Sequence, residues 1–118
     1  MKIVYASRMG HVEGIVERLG YAAAIKIEKG DEIVEGEYVL FTYTDLVGEI
    51  PAAVAAFLAH NPGIKAVVGS GSKTRHPDTF NFAALKVGEA YHVPVLACLD
   101  LDGSDEQLRA ISRDISAL

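Results

Sequence analysis

Two hydrophobic rhythms alternate along the chain from its first residues. Short apolar runs occupy 2–6, 23–27, 38–43, 64–69 and 95–101. Runs of that length with β-branched residues predict buried strands. Between them the apolar positions open out to helical intervals. Val12, Ile15, Val16 and Leu19 recur at i, i+3, i+4 and i+7, which is one face of a helix. Val54, Phe57 and Leu58 make a second stripe, Phe80, Ala83, Ala84, Val87 and Tyr91 a third, and Leu108, Ile111, Ile115 and Leu118 a fourth. The punctuation agrees. Gly20 stands where a helix C-cap glycine belongs, and Pro51 suits a first helical turn. Asn61-Pro62-Gly63 ends the second helix, and Ser104 has Gln107 at the capping-box position. Only 28–37 breaks the alternation. It is charged and glycine-bearing, and reads as a turn region too short for a helical crossover.

Strands apolar on both faces, separated by amphipathic helices, imply a parallel sheet covered on both sides. Five strands at this spacing predict a single α/β domain over 1–118. Its expected form is a flavodoxin-like, doubly wound sheet of order 2-1-3-4-5 with helices on both faces. Such sheets bind ligands outside the carboxyl ends of the strands, where the strand order reverses. Three loops are thereby singled out: 7–12, 44–49 and 70–78.

Composition narrows the function. The chain has 118 residues, half of them hydrophobic, enough to bury a core without staples. A net charge of −5 argues against nucleic acid or an anionic membrane as partner, since those binders carry a basic footprint. No apolar run approaches the roughly 20 residues of a membrane span. Residues 1–8 lack the apolar core of a signal peptide, and the expected compartment is the cytoplasm. Cys98 is the one cysteine. It reads as a small buried residue of the fifth strand. His11, His60, His76 and His92 share no metal-ligand spacing, so no metal site is expected. His60 and His92 read as structural residues at helix ends.

The loops carry what chemistry there is. Ser7-Arg8-Met9-Gly10-His11-Val12 joins a strand to a helix N-terminus, where free N–H groups and the helix dipole favour an anion. It reads as a phosphate cradle or as an ordinary βα turn. In the second loop, Tyr43-Thr44-Asp45-Leu46-Val47-Gly48, Tyr43 either lies along an aromatic ligand or closes the core. The third contains Ser70-Gly71-Ser72-Lys73-Thr74-Arg75-His76. Lys73-Thr74 superficially resembles a P-loop, but Ser72 and Val67 occupy the two places that need glycine. A phosphoacceptor receiver needs acidic residues after the first strand to hold Mg²⁺, and Ser7 and Arg8 stand there instead. No Ser-His-Asp or Cys-His set assembles from these loops, so no side chain is assigned a catalytic role.

In order along the chain, four segments resemble the NrdI family of small flavodoxin-like proteins. They are residues 3–10, the stretch 39–51 with Thr42-Tyr43-Thr44 and Val47-Gly48-Glu49-Ile50-Pro51, Ser70-Gly71-Ser72, and 91–106 with Tyr91-His92-Val93-Pro94-Val95. The resemblance covers nearly the whole chain. It implies bound FMN, held by Ser7, Arg8, Met9, Gly10, His11 and Val12, by Tyr43, Thr44, Asp45, Leu46, Val47 and Gly48, and by Ser70, Gly71, Ser72, Arg75 and His76. It also implies an activity in which the reduced flavin converts O₂ to an oxidant, taken to be superoxide. That oxidant serves the metal-radical site of the small subunit of class Ib ribonucleotide reductase. A second implied partner is a reductase that supplies electrons. On this reading the flavin performs the redox step and the protein positions and tunes it.

The chain departs from the family's pattern at three places. Met9 and His11 stand where the first loop usually has Thr and Asn, Leu46 where a Gly is favoured, and Arg75-His76 where an aromatic and a Gly are common. Two other readings stay open at this point: a general electron-transfer flavodoxin, and a flavin-free protein-binding module of the same fold.

Overall fold

The computed structural model describes residues 1–45 and 47–118. In chain order the elements are β1 (Lys2–Tyr5), α1 (His11–Arg18), β2 (Ile25–Lys26), β3 (Tyr38–Tyr43), α2 (Ala52–His60), β4 (Ile64–Gly71), a short 3₁₀ turn (Pro77–Thr79), α3 (Phe82–Tyr91), β5 (Val95–Asp100) and α4 (Asp105–Ser116). The strands form one five-stranded sheet in the order β2-β1-β3-β4-β5, and every pairing is parallel. This is the flavodoxin-like architecture that the alternating pattern predicts.

The sheet separates two cores, and the period of two along each strand decides which side chain joins which. Val4, Leu40 and Val67 point to one face, against Val54, Phe57 and Leu58 of α2 and Ala84 and Val87 of α3. Ile3, Val39, Phe41 and Val68 point to the other, against Val12, Ile15 and Val16 of α1 and Leu108, Ile111 and Ile115 of α4. Two caps form as their sequence signals require. The N–H of Gly20 bonds Glu17 O and that of Tyr21 bonds Val16 O, which closes α1. Ser104 and Gln107 form the reciprocal capping box of α4.

Several boundaries differ from the hydrophobic pattern. β2 keeps only two of the five residues in its run, because it pairs on one side only, with β1. β4 continues two residues beyond its apolar run, to Gly71, because β5 pairs with Ser70 and Gly71. α3 starts at Phe82 rather than Phe80: Asn81 has φ 56°, a left-handed conformation that breaks the helix, and the Phe80 ring lies under Lys73 instead. β5 is the sheet's edge, so its residues are half-buried apart from Leu99 and the exposed Asp100. Cys98 is therefore half-buried, and burial pushes its thiol pKa up. Leu118 lies beyond the last turn of α4 and is exposed.

The 28–37 link crosses without a helix because side chains replace the missing backbone bonds. The Glu32 carboxylate accepts from the N–H groups of Glu28, Lys29 and Gly30 at 2.8, 3.0 and 2.9 Å. Asn61, at the end of α2, is 1% exposed. Its Oδ1 accepts from Val34 N–H, and its Nδ2 donates to the carbonyls of Glu32 and Phe57. The Tyr38 hydroxyl donates to Asn61 O at 2.7 Å.

Candidate functional site

At the carboxyl edge of the sheet the loops after β1, β3, β4 and β5 enclose a cleft of about 230 Å³. Its wall contains Ser7, Arg8, Met9, His11 and Val12 from the first loop and the start of α1, Tyr43 and Thr44 from the end of β3, and Ser70, Gly71, Ser72, Arg75 and His76 from β4 and its loop. Most of the residues expected to bind a ligand are thus brought together by the fold. They converge because β1 and β3 are neighbours whose following helices, α1 and α2, cover opposite faces. That arrangement opens a crevice at their ends.

Each serine and threonine hydroxyl in the cleft is bonded to the backbone. Ser7 Oγ accepts from Glu13 N–H at 3.3 Å, Thr44 Oγ1 from Ala83 N–H at 3.1 Å, and Ser72 Oγ from Arg75 N–H at 3.1 Å. A hydroxyl that accepts in this way keeps its own hydrogen to donate. Ser70 is different: its hydroxyl already donates to Leu101 O at 2.6 Å. Gly10 lies behind the turn at φ 91°, a left-handed conformation that costs glycine little. It leads directly into α1, where the first N–H groups have no intrahelical acceptor. His11 is the first residue of α1 rather than part of the loop, and Val12 belongs at once to the cleft wall and to the core.

Arg8 makes a bridge that the sequence pattern does not reveal. Its guanidinium bonds Asp45 Oδ1 at 2.5 Å and stands 5.0 Å from the centre of the Tyr43 ring. Burial raises the Tyr43 phenol pKa above its usual value, and Asp45 adds to that while Arg8 opposes it. The second loop closes on itself through the reciprocal Asp45–Glu49 backbone pair, 2.8 Å each way. Consequently Val47 is an exposed tip, 84% accessible. Gly48 lies against Phe82 and Thr79, whose side chains a Cβ there would meet. Leu46 lies outside the described residues.

Leu101 joins the cleft without any sequence signal. Its pattern reads as the end of a strand, yet it turns at φ 53° and its N–H bonds Gly71 O at 2.7 Å. Behind it, Asn81 fastens the third loop. Asn81 is 1% exposed, its Nδ2 donates to Leu99 O at 3.1 Å, and among the described residues its Oδ1 has no partner. Among the described residues, no group of three or more His, Cys, Asp or Glu is placed to hold a metal. Nor is any helix long and apolar enough to cross a membrane.

The family model "NrdI Flavodoxin like" matches residues 3–113. The chain belongs to the NrdI flavodoxin-like family. The NrdI protein of Macrococcus caseolyticus is 31% identical over 110 residues, covering 92% of this chain and 84% of its own length. That of Bacillus licheniformis is 26% identical over 115 residues, covering 98% and 87%. Among solved structures, a short-chain flavodoxin associated with a non-canonical PDU bacterial microcompartment aligns with a TM-score of 0.73 at 18% identity, over 99% of this chain and 94% of that one. A Fusobacterium nucleatum flavodoxin mutant bound to flavin mononucleotide aligns with a TM-score of 0.64 at 18% identity, over 98% and 92%. At that identity the structures show a common fold, while the NrdI relatives and the family match assign the family.

Proposed function

We propose that this chain binds FMN in the cleft and acts as an accessory flavoprotein for the small subunit of a class Ib-type ribonucleotide reductase. The observation that carries the reading is the donor set. Ser7, Thr44 and Ser72 each keep a hydroxyl hydrogen to donate. The unbonded N–H groups of α1 and the cations Arg8 and Arg75 stand beside them. Phosphate oxygens and the carbonyls of a flavin ring are acceptors, and this set is built of donors. Ser7, Met9, Gly10, His11 and Val12 would hold the phosphate. The cleft's volume is below the roughly 300–1,000 Å³ of sites that enclose a drug-sized ligand, so the ring would extend onto the open rim beside Tyr43, Thr44, Ser72, Arg75 and His76. Asp45, with Val47 and Gly48, would edge it.

FMN held there would supply the one-electron redox chemistry, toward O₂ and superoxide for the partner's metal site, with a reductase as its electron source. The protein's own contribution is placement. Arg8 partly neutralises Asp45, so the charge near the rim is a balanced pair rather than a bare carboxylate. Lys73, Arg75 and His76 project from the third loop and are exposed. In a chain of net charge −5 Lys73 and Arg75 are a local positive field that would attract an acidic partner surface.

Purified protein should carry flavin absorbance near one equivalent, and the loaded protein should support radical formation in a cognate small subunit. Absence of flavin from purified and reconstituted protein would sink the reading. Flavin without activation of the subunit would point to general electron transfer. Reversing charge at Lys73 and Arg75 together should slow association with the subunit and weaken its salt dependence. Association at the wild-type rate at low salt would place the interface elsewhere.

A further inference from the structure

We propose that His11, oriented by Asp102, is the residue by which this chain selects a phosphorylated flavin over its unphosphorylated form, acting as an imidazolium. The inference rests on the flavin reading above and adds to it a specificity determinant and a dependence on pH.

The geometry is that of an oriented histidine. Nδ1 of His11 lies 2.7 Å from Asp102 Oδ1, across 91 positions of sequence. A carboxylate on Nδ1 holds the proton there and leaves Nε2 as the second functional nitrogen. Among the described residues Nε2 has no hydrogen-bond partner, and the ring borders the cleft. Asp102 is itself anchored. Arg18 of α1 donates to its main-chain oxygen at 3.0 Å and to Asp105 at 2.7 Å, so the β5–α4 turn is tied to the helix that begins with His11. A neutral Nε2 is an acceptor and would oppose a phosphate oxygen. A protonated Nε2 is a charged donor and would bind one.

Chain-specific chemistry supports the assignment. The turn lacks the threonine hydroxyl that its family pattern leads one to expect, because Met9 stands there. A second charged donor at His11 makes up for that loss. The pair is half-exposed, 41% at His11 and 61% at Asp102, and exposed pairs add little to stability. Removing it therefore perturbs binding without unfolding the domain.

Other charges surround His11. From its own element come Glu13, engaged with Tyr5 and Lys26, and Arg18. The first loop brings Arg8 with Asp45, and β5 and its turn bring Asp100 and Asp102. Asp105 comes from α4, and Arg75 and His76 from the third loop. His76 is the cleft's other imidazole and is the control.

The test is an equilibrium titration of apo-protein with FMN and with riboflavin from pH 6 to 9, for wild type, His11→Leu, Asp102→Asn and His76→Leu. Leucine fills the imidazole's place without a donor. Above pH 7 the ligand's phosphate is already a dianion, so loss of a proton from the protein dominates. Wild-type affinity for FMN should fall as pH rises above 7, while riboflavin affinity stays level. His11→Leu should bind FMN about tenfold more weakly at pH 6.5, with a flat profile above pH 7 and unchanged riboflavin affinity. Asp102→Asn should weaken FMN binding at pH 6.5 in the same direction, because the ring loses the carboxylate that orients it. His76→Leu should keep the slope. A wild-type profile in His11→Leu, or a slope that disappears with His76 instead, overturns the proposal while leaving flavin binding intact. Failure of both flavins to bind at any pH overturns the flavin reading itself.

Discussion

Replacing Asn61 with alanine should cost this domain a large share of its stability, and the structure says why. The side chain makes three bonds in a place closed to water, to Val34 N–H, Glu32 O and Phe57 O. Val34 is itself 8% exposed, so its N–H has no water to turn to. An orphaned buried donor costs about 1–3 kcal/mol, and each lost carbonyl partner about 0.5–1.5 kcal/mol. Together these amount to about 2–6 kcal/mol, against the roughly 5–15 kcal/mol typical of a whole domain. Urea unfolding followed by far-UV circular dichroism measures it. With a slope of about 1–3 kcal/mol per molar for small proteins, the midpoint should fall by about 1 M or more. Asn61→Asp should be at least as damaging at neutral pH, since it sets a carboxylate oxygen against two carbonyls. A loss under about 1 kcal/mol for Asn61→Ala would refute the argument and assign the 28–37 link to Glu32 alone.

Three further outcomes follow from the same structure. Gly69→Ala should lose about 1–3 kcal/mol through overpacking and weaken FMN binding. A Cβ there would lie 2.4 Å from Asn81 Oδ1 and 2.7 Å from Ala84 Cβ, both buried, and Asn81 fastens the loop along the cleft; a thermal melt and a flavin titration check the two effects. For Glu32, burial raises the carboxyl pKa but the backbone N–H groups outweigh it, holding it at about 2 against an ordinary 4.5. A depressed carboxylate contributes stability above its unfolded pKa and loses it as pH falls through the folded value. Wild type should therefore lose more stability than Glu32→Gln between pH 4.5 and 2, and equal losses in urea titrations would dismiss the carboxylate's role. Met9 is 73% exposed, so Met9→Thr leaves the core alone and should tighten FMN binding about tenfold by adding a hydroxyl bond to a charged group. An unchanged dissociation constant would mean the remaining donors already saturate the phosphate.

What the sequence determined by itself was whatever depends on local periodicity. The two faces of each strand, the inward stripes of the helices, the Gly20 and Ser104 caps and the sheet order all follow from spacings that near neighbours enforce. Because that topology dictates where the crevice opens, the three loops were legible too, and most of their residues do line one cleft. Tertiary structure decided whatever depends on residues distant in sequence. Nothing local says that Arg8 will cover Tyr43 and pair with Asp45, that Asp102 will meet His11, or that Asn61 will hold a link 27 positions away. The same holds for Leu101, whose apolar character reads as strand until Gly71 O takes its N–H and turns it into the cleft. β-Branched runs and helical stripes state which face a residue buries. Which polar partner a side chain finds is set only when loops from different strands are brought to the same edge of the sheet, because hydrogen bonds and ion pairs form over a few ångströms of space and not of chain.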